Sequence, residues 1–494
     1  MLLPILESPA AAQPPGSAVL QRQWFATRTA HFNVFSCASP PEIYRLTAQL
    51  EQFCQAYSLL AGAQAVASPP IVVLVFPDES ALRPFLPLYN GQPANLSGFF
   101  RRDSDENLIV LSLQGTNSAF TGLEVIFHEY AHLLFRQNAR IWPLWLNEGI
   151  AELYSTFETT GYTVRIGKPL EPYLRYLARR PLMPLSQLFA VTRESPEYNE
   201  KERQGIFYAE SWLLTHLLTA GGSVSYQTRF GQFTKLLQDG QPPVQAFTNA
   251  LRTTLPAVEA DMRRYLERGQ FLPLQWALPM TPLTGSGMTA RYMPPAETCC
   301  RLGDELMRID RTDAAESWFL YAQKIDPTNA LPIESLGLLA AQKGRHAEAV
   351  RLLKDAFQHG ADGFLAHYVY AREKYRLTAD NQDRYAPITG AAETEIRSHL
   401  RKSIALMPSF GPAHQLLGFF ETVQAEDLAE AQKQLALAIQ LEPDNSGYLI
   451  SLAQAQIRAR NPTAARQTLR PLLLSTADPR LRADAEELLR SIGH

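Results

Sequence analysis

The sequence predicts an α+β domain followed by an all-α solenoid of helical repeats. Strand and helix signals are mixed between residues 24 and 271, whereas residues 296–479 repeat a helical pattern with a period of 34 residues. A chain of 494 residues is also too long for one core of ordinary size. We therefore expect two folded units, joined by a linker rich in Pro, Gly, Ser and Thr at residues 272–295.

Composition argues against two classes of partner. The chain is 46% hydrophobic and 19% charged, and 46 basic against 49 acidic side chains give a formal net charge of -3. Proteins that bind nucleic acid usually carry a basic footprint, so we expect no nucleic-acid partner. The longest apolar run, residues 71–76, is far shorter than the roughly 20 residues that a membrane-spanning helix needs. We expect no membrane span.

The N-terminal tail, residues 1–23, allows two interpretations. An apolar run at residues 2–6 is followed by three alanines at residues 10–12, which resemble a small-residue cleavage site. The basic start of a signal peptide is missing, because the first basic residue is Arg22. The tail is therefore either disordered or the remnant of a signal peptide that begins upstream. The second interpretation favours export from the cytoplasm of a bacterium, and the first leaves localisation open.

A β-hairpin is predicted in the middle of the first domain. Residues 97–113 contain two apolar runs joined by a polar segment. We expect the second run, residues 108–113, to form an exposed edge strand to which an extended peptide could add. The other strong signals are a strand at 31–35, a helix at 41–60 and a buried strand at 71–76.

After the linker, large and small residues recur at fixed places. In the unit that begins at Ala296, these are Leu302 and Gly303 on the first helix and Ala315 and Phe319 on the second. Small residues there let the paired helices approach closely. Equivalent residues are Leu336, Gly337, Ala349 and Leu353 after Ala330, Leu417, Gly418, Leu435 and Ala438 after Gly411, and Leu452, Ala453, Ala465 and Leu469 after Ser446.

This pattern resembles the tetratricopeptide repeat family, whose helix-turn-helix unit has 34 residues. The resemblance covers residues 296–479 and implies about five units, of which residues 364–410 form one enlarged by an insertion. Residues 480–494 are expected to form the capping helix that covers the last apolar face of a solenoid. The resemblance also implies a protein partner in the groove of the repeats.

Two histidines one helical turn apart are the main chemical signal. His128, Glu129 and His132 form an H-E-x-x-H pattern, and Thr121 with Glu124 forms a capping box that predicts the start of its helix. Side chains at i and i+4 share one helix face, so both imidazoles can bind one Zn²⁺. A third ligand is needed, because the pattern alone is only moderately specific.

Glu148 is the candidate third ligand. It follows His132 by 16 residues, on a second predicted helix that begins near Pro143. Two histidines and one glutamate are a known catalytic zinc set. Glu152 lies one turn further along the same face. The alternative is that Glu148 and Glu152 belong to an ordinary solvated helix face.

Together the two motifs resemble the gluzincin metallopeptidases, and most closely the peptidase-MA-like group that often carries tetratricopeptide repeats. The resemblance implies a zincin-like peptidase domain at residues 24–271, with Zn²⁺ bound by His128, His132 and Glu148. It also implies that Glu152 hydrogen-bonds a zinc-bound histidine. The motif by which related aminopeptidases hold a free amino terminus is not apparent before His128, which favours an endopeptidase.

The expected chemistry follows from this set of residues. Three protein ligands leave one zinc position for water, whose pKa the metal lowers toward about 7. Glu129 would take a proton and pass it to the departing amine. The resemblance suggests a tyrosine as a further oxyanion donor, with Tyr208 as the candidate and Tyr162 as the alternative. The structural alternative for either residue is a packed ring with its hydroxyl at the surface. His216 lies among leucines and is expected to be a packing residue rather than a ligand.

Two functions of different classes fit the sequence. In the first, the N-terminal domain cleaves peptide bonds and the repeats recruit a substrate or partner. In the second, the zinc domain is inactive and the chain is an adaptor for protein-protein interaction. Glu129 favours the enzyme, because an adaptor has no use for a proton acceptor beside the metal. The same water chemistry could also hydrolyse a non-peptide amide.

Overall fold

The computed structural model describes ten stretches of the chain. Residues 1–12 of the N-terminal tail (residues 1–23), which carry the features of a signal remnant, lie outside them. Within the described part, no helix combines the length and the apolar composition that crossing a membrane requires. The described stretches are 13–61, 71–114, 121–137, 142–160, 162–198, 205–221, 224–279, 289–379, 387–475 and 478–493.

A mixed β-sheet forms the centre of the N-terminal domain. Its strand order is β11-β1-β2-β3-β7-β6, in which β2, β3 and β7 run parallel and the other neighbours are antiparallel. The strands are β1 (Phe25–Arg28), β2 (Phe32–Ser36), β3 (Ile71–Phe76), β6 (Gly98–Arg102), β7 (Asn107–Ser112) and β11 (Arg291–Tyr292). Smaller sheets contain β4 (Leu88–Tyr89) with β5 (Gln92–Pro93), and β8 (Glu158–Thr160) and β9 (Thr163–Ile166) with β10 (Leu274–Ala277).

Ten helices are described in this domain. The first, α1, connects the parallel strands β2 and β3, as a crossover between parallel strands requires. Residues of α1, α3, α4 and α7 share one hydrophobic core with one face of the sheet. The helices are α1 (Pro40–Ala61), α2 (Glu79–Leu82), α3 (Gly122–Gln137), α4 (Leu144–Ser155), α5 (Glu171–Leu177), α6 (Leu185–Leu188), α7 (Ile206–Ala220), α8 (Val224–Gln238), α9 (Pro243–Leu251) and α10 (Leu255–Arg268).

The predicted hairpin is confirmed, but the strand assigned to the sheet edge was wrong. β7 lies between β3 and β6, and all six of its residues are buried. Within the described stretches, this edge is formed by β6, whose one strand neighbour is β7. The sequence of β7 gives the physical reason for its interior position. A continuous apolar run is typical of a strand that is buried on both faces, whereas a strand with one face in water alternates apolar and polar residues.

The linker also differs from the prediction. Residues 272–295 were expected to form a linker rich in Pro, Gly, Ser and Thr, yet within this segment β10 pairs with β9 and β11 pairs with β1. Both strands lie in short proline-free runs within that segment. The chain therefore adds an edge strand to the central sheet before the repeats begin.

The C-terminal part is an all-helical solenoid of paired antiparallel helices. At equivalent places in three units, a glycine of the first helix lies where a Cβ atom would meet a side chain of the second: Gly303 against Phe319, Gly337 against Leu353 and Gly418 against Leu435. The predicted small residues thus permit the close approach. The helices are α11 (Pro295–Arg308), α12 (Thr312–Ile325), α13 (Ala330–Gln342), α14 (His346–Gln358), α15 (Phe364–Ala379), α16 (Ala391–Leu406), α17 (Gly411–Gln424), α18 (Leu428–Leu441), α19 (Gly447–Arg458), α20 (Pro462–Ser475) and α21 (Pro479–Ser491).

The sheet and the first repeat share a hydrophobic core. Leu74 and Val110 on one face of the sheet belong to the same buried cluster as Leu302 and Trp318 of the first repeat. The two units are therefore not connected by a linker alone, because separating them would expose apolar surface on both.

Candidate metal centre

The helix α3 presents the two histidines as predicted. Its capping box is confirmed, since the Thr121 amide donates to Glu124 at 2.7 Å and the Glu124 amide donates to the Thr121 hydroxyl at 3.2 Å. One turn apart, His128 and His132 have their Nε2 atoms 3.0 Å from each other. The local sequence thus starts the helix and places both imidazoles on one face.

The helix α4 brings Glu148 to the same point. Glu148 Oε2 lies 3.2 Å from His132 Nε2 and 3.3 Å from His128 Nε2. Glu148 and Glu152 are only 4% and 2% exposed, so the alternative of a solvated helix face is wrong. Burial alone would raise the pKa of Glu148, but hydrogen bonds from His128 and His132 outweigh it and hold this pKa well below its usual range.

These three side chains fit a zinc ion. Two imidazole nitrogens and one carboxylate oxygen lie within 4.8 Å of one another, and each faces the other two. Glu152 Oε1 lies 3.2 Å from His128 Nδ1, on the side of the ring opposite the Nε2 atom that faces His132 and Glu148. Two histidine nitrogens and one glutamate oxygen are a donor set that a zinc ion accepts.

Glu152 is in turn fixed by a third helix. The Tyr173 hydroxyl on α5 donates to Glu152 Oε1 at 2.7 Å, and Tyr173 is 1% exposed. His128, Glu152 and Tyr173 therefore form a continuous buried chain of polar contacts. Such contacts orient a ligand histidine and commonly affect metal affinity.

A second group of possible metal ligands is satisfied without a metal. His31, Glu51 and Cys54 have donor atoms close together. However, His31 Nδ1 and Glu51 Oε2 form an ion pair at 2.7 Å, and Cys54 Sγ lies 2.9 Å from the Tyr130 hydroxyl. Burial raises the pKa of the Cys54 thiol far above its usual range, which disfavours the thiolate that a metal would need. This group gives no reason to expect an ion.

Two tyrosines lie beside the site, and the nearer one was missed. The Tyr198 hydroxyl donates to Glu148 Oε1 at 3.4 Å, whereas the Tyr208 hydroxyl donates to the Tyr198 carbonyl at 3.1 Å. The two rings stack with centroids 5.9 Å apart. Burial, together with the charges of Glu148 and Glu129, raises the pKa of Tyr198 to about 12, so its hydroxyl stays protonated at neutral pH.

The two remaining candidates lie apart from this constellation. Tyr162 is 66% exposed, in the connection between β8 and β9. His216 is fully buried, with Nε2 2.8 Å from the Gly167 carbonyl and Nδ1 2.7 Å from the Tyr265 hydroxyl. Both ring nitrogens are therefore used, and the prediction that His216 is a packing residue is confirmed.

The comparisons with known proteins concern the repeats. Residues 422–489 match the family model of the tetratricopeptide repeat. Together with the helix packing, this match makes the C-terminal part a tetratricopeptide repeat domain, a class that suggests protein-protein interaction. No curated protein matches the chain.

Several solved repeat structures show a weak likeness. YrrB, titled a TPR protein with an unusual peptide-binding site, is 16% identical over 39% of this chain and 92% of its own, with a TM-score of 0.32. MamA from Desulfovibrio magneticus RS-1 is 16% identical over 41% and 99%, with a TM-score of 0.30. A tetratricopeptide repeat protein from Parabacteroides merdae is 12% identical over 55% and 88%, with a TM-score of 0.30. Such low scores carry no argument about function.

Proposed function

We propose that the N-terminal domain is a zinc-dependent peptidase and that the repeats bind a protein substrate or partner. The observation that carries the peptidase proposal is the convergence of His128 Nε2, His132 Nε2 and Glu148 Oε2 at 3.0 to 3.3 Å. Glu129, on the same helix as both histidines, is the proposed proton acceptor. The partner proposal follows from the class of the repeats.

Each side chain has a separate role in this proposal. Zinc, when bound, supplies Lewis acidity that lowers the pKa of water and polarises a carbonyl. Glu129 accepts a proton from the attacking water and delivers it to the departing amine. Tyr198, whose hydroxyl proton is retained, donates a hydrogen bond to the developing oxyanion. Tyr208, through the Tyr198 carbonyl, positions that neighbour.

The edge strand β6 supports endopeptidase action. No strand of the described stretches pairs with its other side, so an extended peptide could add there as a further strand. The strand contacts α3, the helix of the two histidines. A polypeptide bound along β6 would therefore pass near the proposed zinc ligands without needing a free terminus.

Metal content and cleavage of an unstructured protein test the proposal. We expect about one zinc per chain by mass spectrometry, as for a single three-ligand site. We also expect cleavage activity that a chelator removes and added zinc restores, because the proton transfers need the metal-activated water. Protein that stays free of zinc after dialysis against the metal would overturn the proposal.

Replacing Tyr198 by Phe is expected to lower kcat by about 10² to 10³-fold, the usual cost of losing one oxyanion donor, with zinc content unchanged. Tyr208→Phe keeps the Tyr198 hydroxyl and should cost less. Steady-state kinetics of both variants, with zinc content measured in parallel, check this ranking. A larger loss of kcat in Tyr208→Phe than in Tyr198→Phe would assign the role of oxyanion donor to Tyr208.

An adaptor without catalytic activity is the second candidate. It is favoured by the comparisons, because the match to a known family lies in the repeats and suggests protein-protein interaction. In that case the same three ligands could hold a structural zinc ion. Zinc-loaded protein that cleaves no substrate, and still binds a partner through its repeats, would support the adaptor.

A further inference from the structure

The first helices of the repeats form the inner side of the solenoid. The pairs α11 and α13, α13 and α15, and α17 and α19 are in contact, whereas in the described part of the chain the second helices do not meet to a comparable extent. A row of stacked helix pairs curves toward the side on which neighbouring helices are more closely spaced, and that side becomes concave. The concave surface is therefore lined by α11, α13, α15, α17 and α19.

The chain's own acidic hairpin contacts this surface at its first helix, α11. Arg308 on α11 lies 3.2 Å from Asp103, 2.5 Å from Asp105 and 3.1 Å from Glu106, all in the turn between β6 and β7. Beyond α18, Asp444 lies 3.9 Å from Arg102 at the end of β6. Because distant repeats both reach it, the hairpin lies on the inner side of the curve.

Arg376 repeats the position of Arg308 further along the solenoid. It follows Arg308 by 68 residues, which is two units of 34, and it lies on the inner helix α15. Arg372 lies one turn earlier, with its guanidinium 5.5 Å from the centroid of the Tyr368 ring. The side chains of Arg372 and Arg376 are 35% and 46% exposed, against 9% for Arg308. The hairpin covers Arg308 and leaves this pair open.

The charges at the two places are balanced differently. Arg308 and its neighbour Arg301 face four carboxylates, those of Asp103, Asp105, Glu106 and Asp304. Among the described residues, Arg372 and Arg376 have one carboxylate within ion-pair distance, the fully buried Glu373. His346 Nδ1 also binds Glu373, at 2.6 Å. Arg376 Nη1 also lies 3.2 Å from His346 Nδ1. The two guanidinium groups thus share one counter-charge, and both side chains are partly exposed.

We propose that Arg372 and Arg376 form a binding site for an acidic, extended polypeptide segment of another protein. The chain's own Asp-Ser-Asp-Glu turn at Arg308 is the intramolecular example of this recognition. Carboxylates suit the site because guanidinium groups bind them through paired, charge-assisted hydrogen bonds. The proposal rests on the partner binding proposed for the repeats and is independent of the proposed catalytic function.

Fluorescence anisotropy of full-length protein with labelled peptides tests the site. The probe is a blocked peptide of about 12 residues that alternates Glu and Ser, roughly 40 Å when extended, and the control peptide carries Lys in place of Glu. A chelator prevents any cleavage. We expect the Glu peptide to bind and the Lys peptide not to, with affinity falling as salt rises. Equal binding of both peptides, or none of the Glu peptide, would overturn the proposal.

Three variants separate this site from general charge effects. Arg372→Ala with Arg376→Ala should weaken binding by at least about tenfold, since two charge-assisted contacts are lost. Arg376→Gln leaves the 2.7 Å contact of Arg372 with Glu373 in place, so it tests the site without exposing that buried charge, and should lose several-fold. The control Arg351→Ala with Lys354→Ala removes two exposed charges from α14 and should bind as wild type. Wild-type affinity in the first two variants would refute the site.

Discussion

Replacing Glu129 by Gln is expected to abolish peptide cleavage while zinc remains bound. The substitution preserves the size of the side chain and removes its ability to accept a proton, so the step lost is general acid-base catalysis, worth about 10² to 10⁴-fold. Glu129 is not one of the three converging groups, so metal binding should persist. Cleavage of an unstructured protein and metal content, measured on the same preparation, check both parts.

The matched variant is Glu148→Ala, which removes a ligand instead of the base. It should lose zinc and activity together, because only His128 and His132 remain as donors. Glu171→Gln, at an exposed position of α5, controls for the loss of a carboxylate and should change neither quantity. If Glu129→Gln cleaved as fast as wild type, the proposed mechanism would be wrong, and the adaptor would be the better account.

The ligand helices were predictable because their signals are local. A capping box and a spacing of four residues define α3 without any knowledge of the rest of the chain. The prediction of Glu148 as a ligand required one further inference, that the next helix brings this residue back to the two histidines. The buried environment of Glu148 and Glu152 then follows from packing of α4 between α3 and α7, which no local pattern reports.

Tyr198 could not be selected in the same way. It lies between α6 and α7, outside any regular element, so no periodicity indicates where its side chain points. Tyr208 lies on a helix that is buried along most of its length, and a helix of that kind gives no preferred face. The choice between these tyrosines depends on the contact between Tyr198 and Glu148, which are 50 residues apart in the sequence.

The position of the hairpin shows a second limit of sequence reasoning. Two alternating or apolar runs joined by a polar turn predict a hairpin, but they do not indicate which of its two strands pairs with a third strand. Here β7 pairs with β3, and the acidic turn contacts Arg301 and Arg308, which lie 195 and 203 residues away in the sequence from their partners in the turn. From the sequence alone, the carboxylates of the turn are predicted to be solvent-facing loop residues. In the structure they contact the first repeat instead.

The substitution Gly149→Ala is expected to destabilise the N-terminal domain and to reduce zinc binding. Gly149 lies on α4, directly after Glu148, where α4 crosses α7. A Cβ atom there would collide with the Thr215 hydroxyl and with the backbone carbonyl of Ser211. Because a backbone atom cannot move without shifting its helix, the cost should reach about 3 kcal/mol, the upper range for overpacking.

Thermal unfolding and zinc content check this prediction together. Gly231→Ala is the control, since a Cβ there meets nothing within 4 Å and lies in the helix α8, where Ala is favoured over Gly by about 1 kcal/mol. The control should therefore be neutral or stabilising, with unchanged zinc. If Gly149→Ala unfolded at the wild-type temperature and bound zinc normally, the close crossing of α4 and α7 would not be what positions Glu148. If stability fell while zinc content held, the crossing would matter for folding alone, and Glu148 would owe its position to the two histidines.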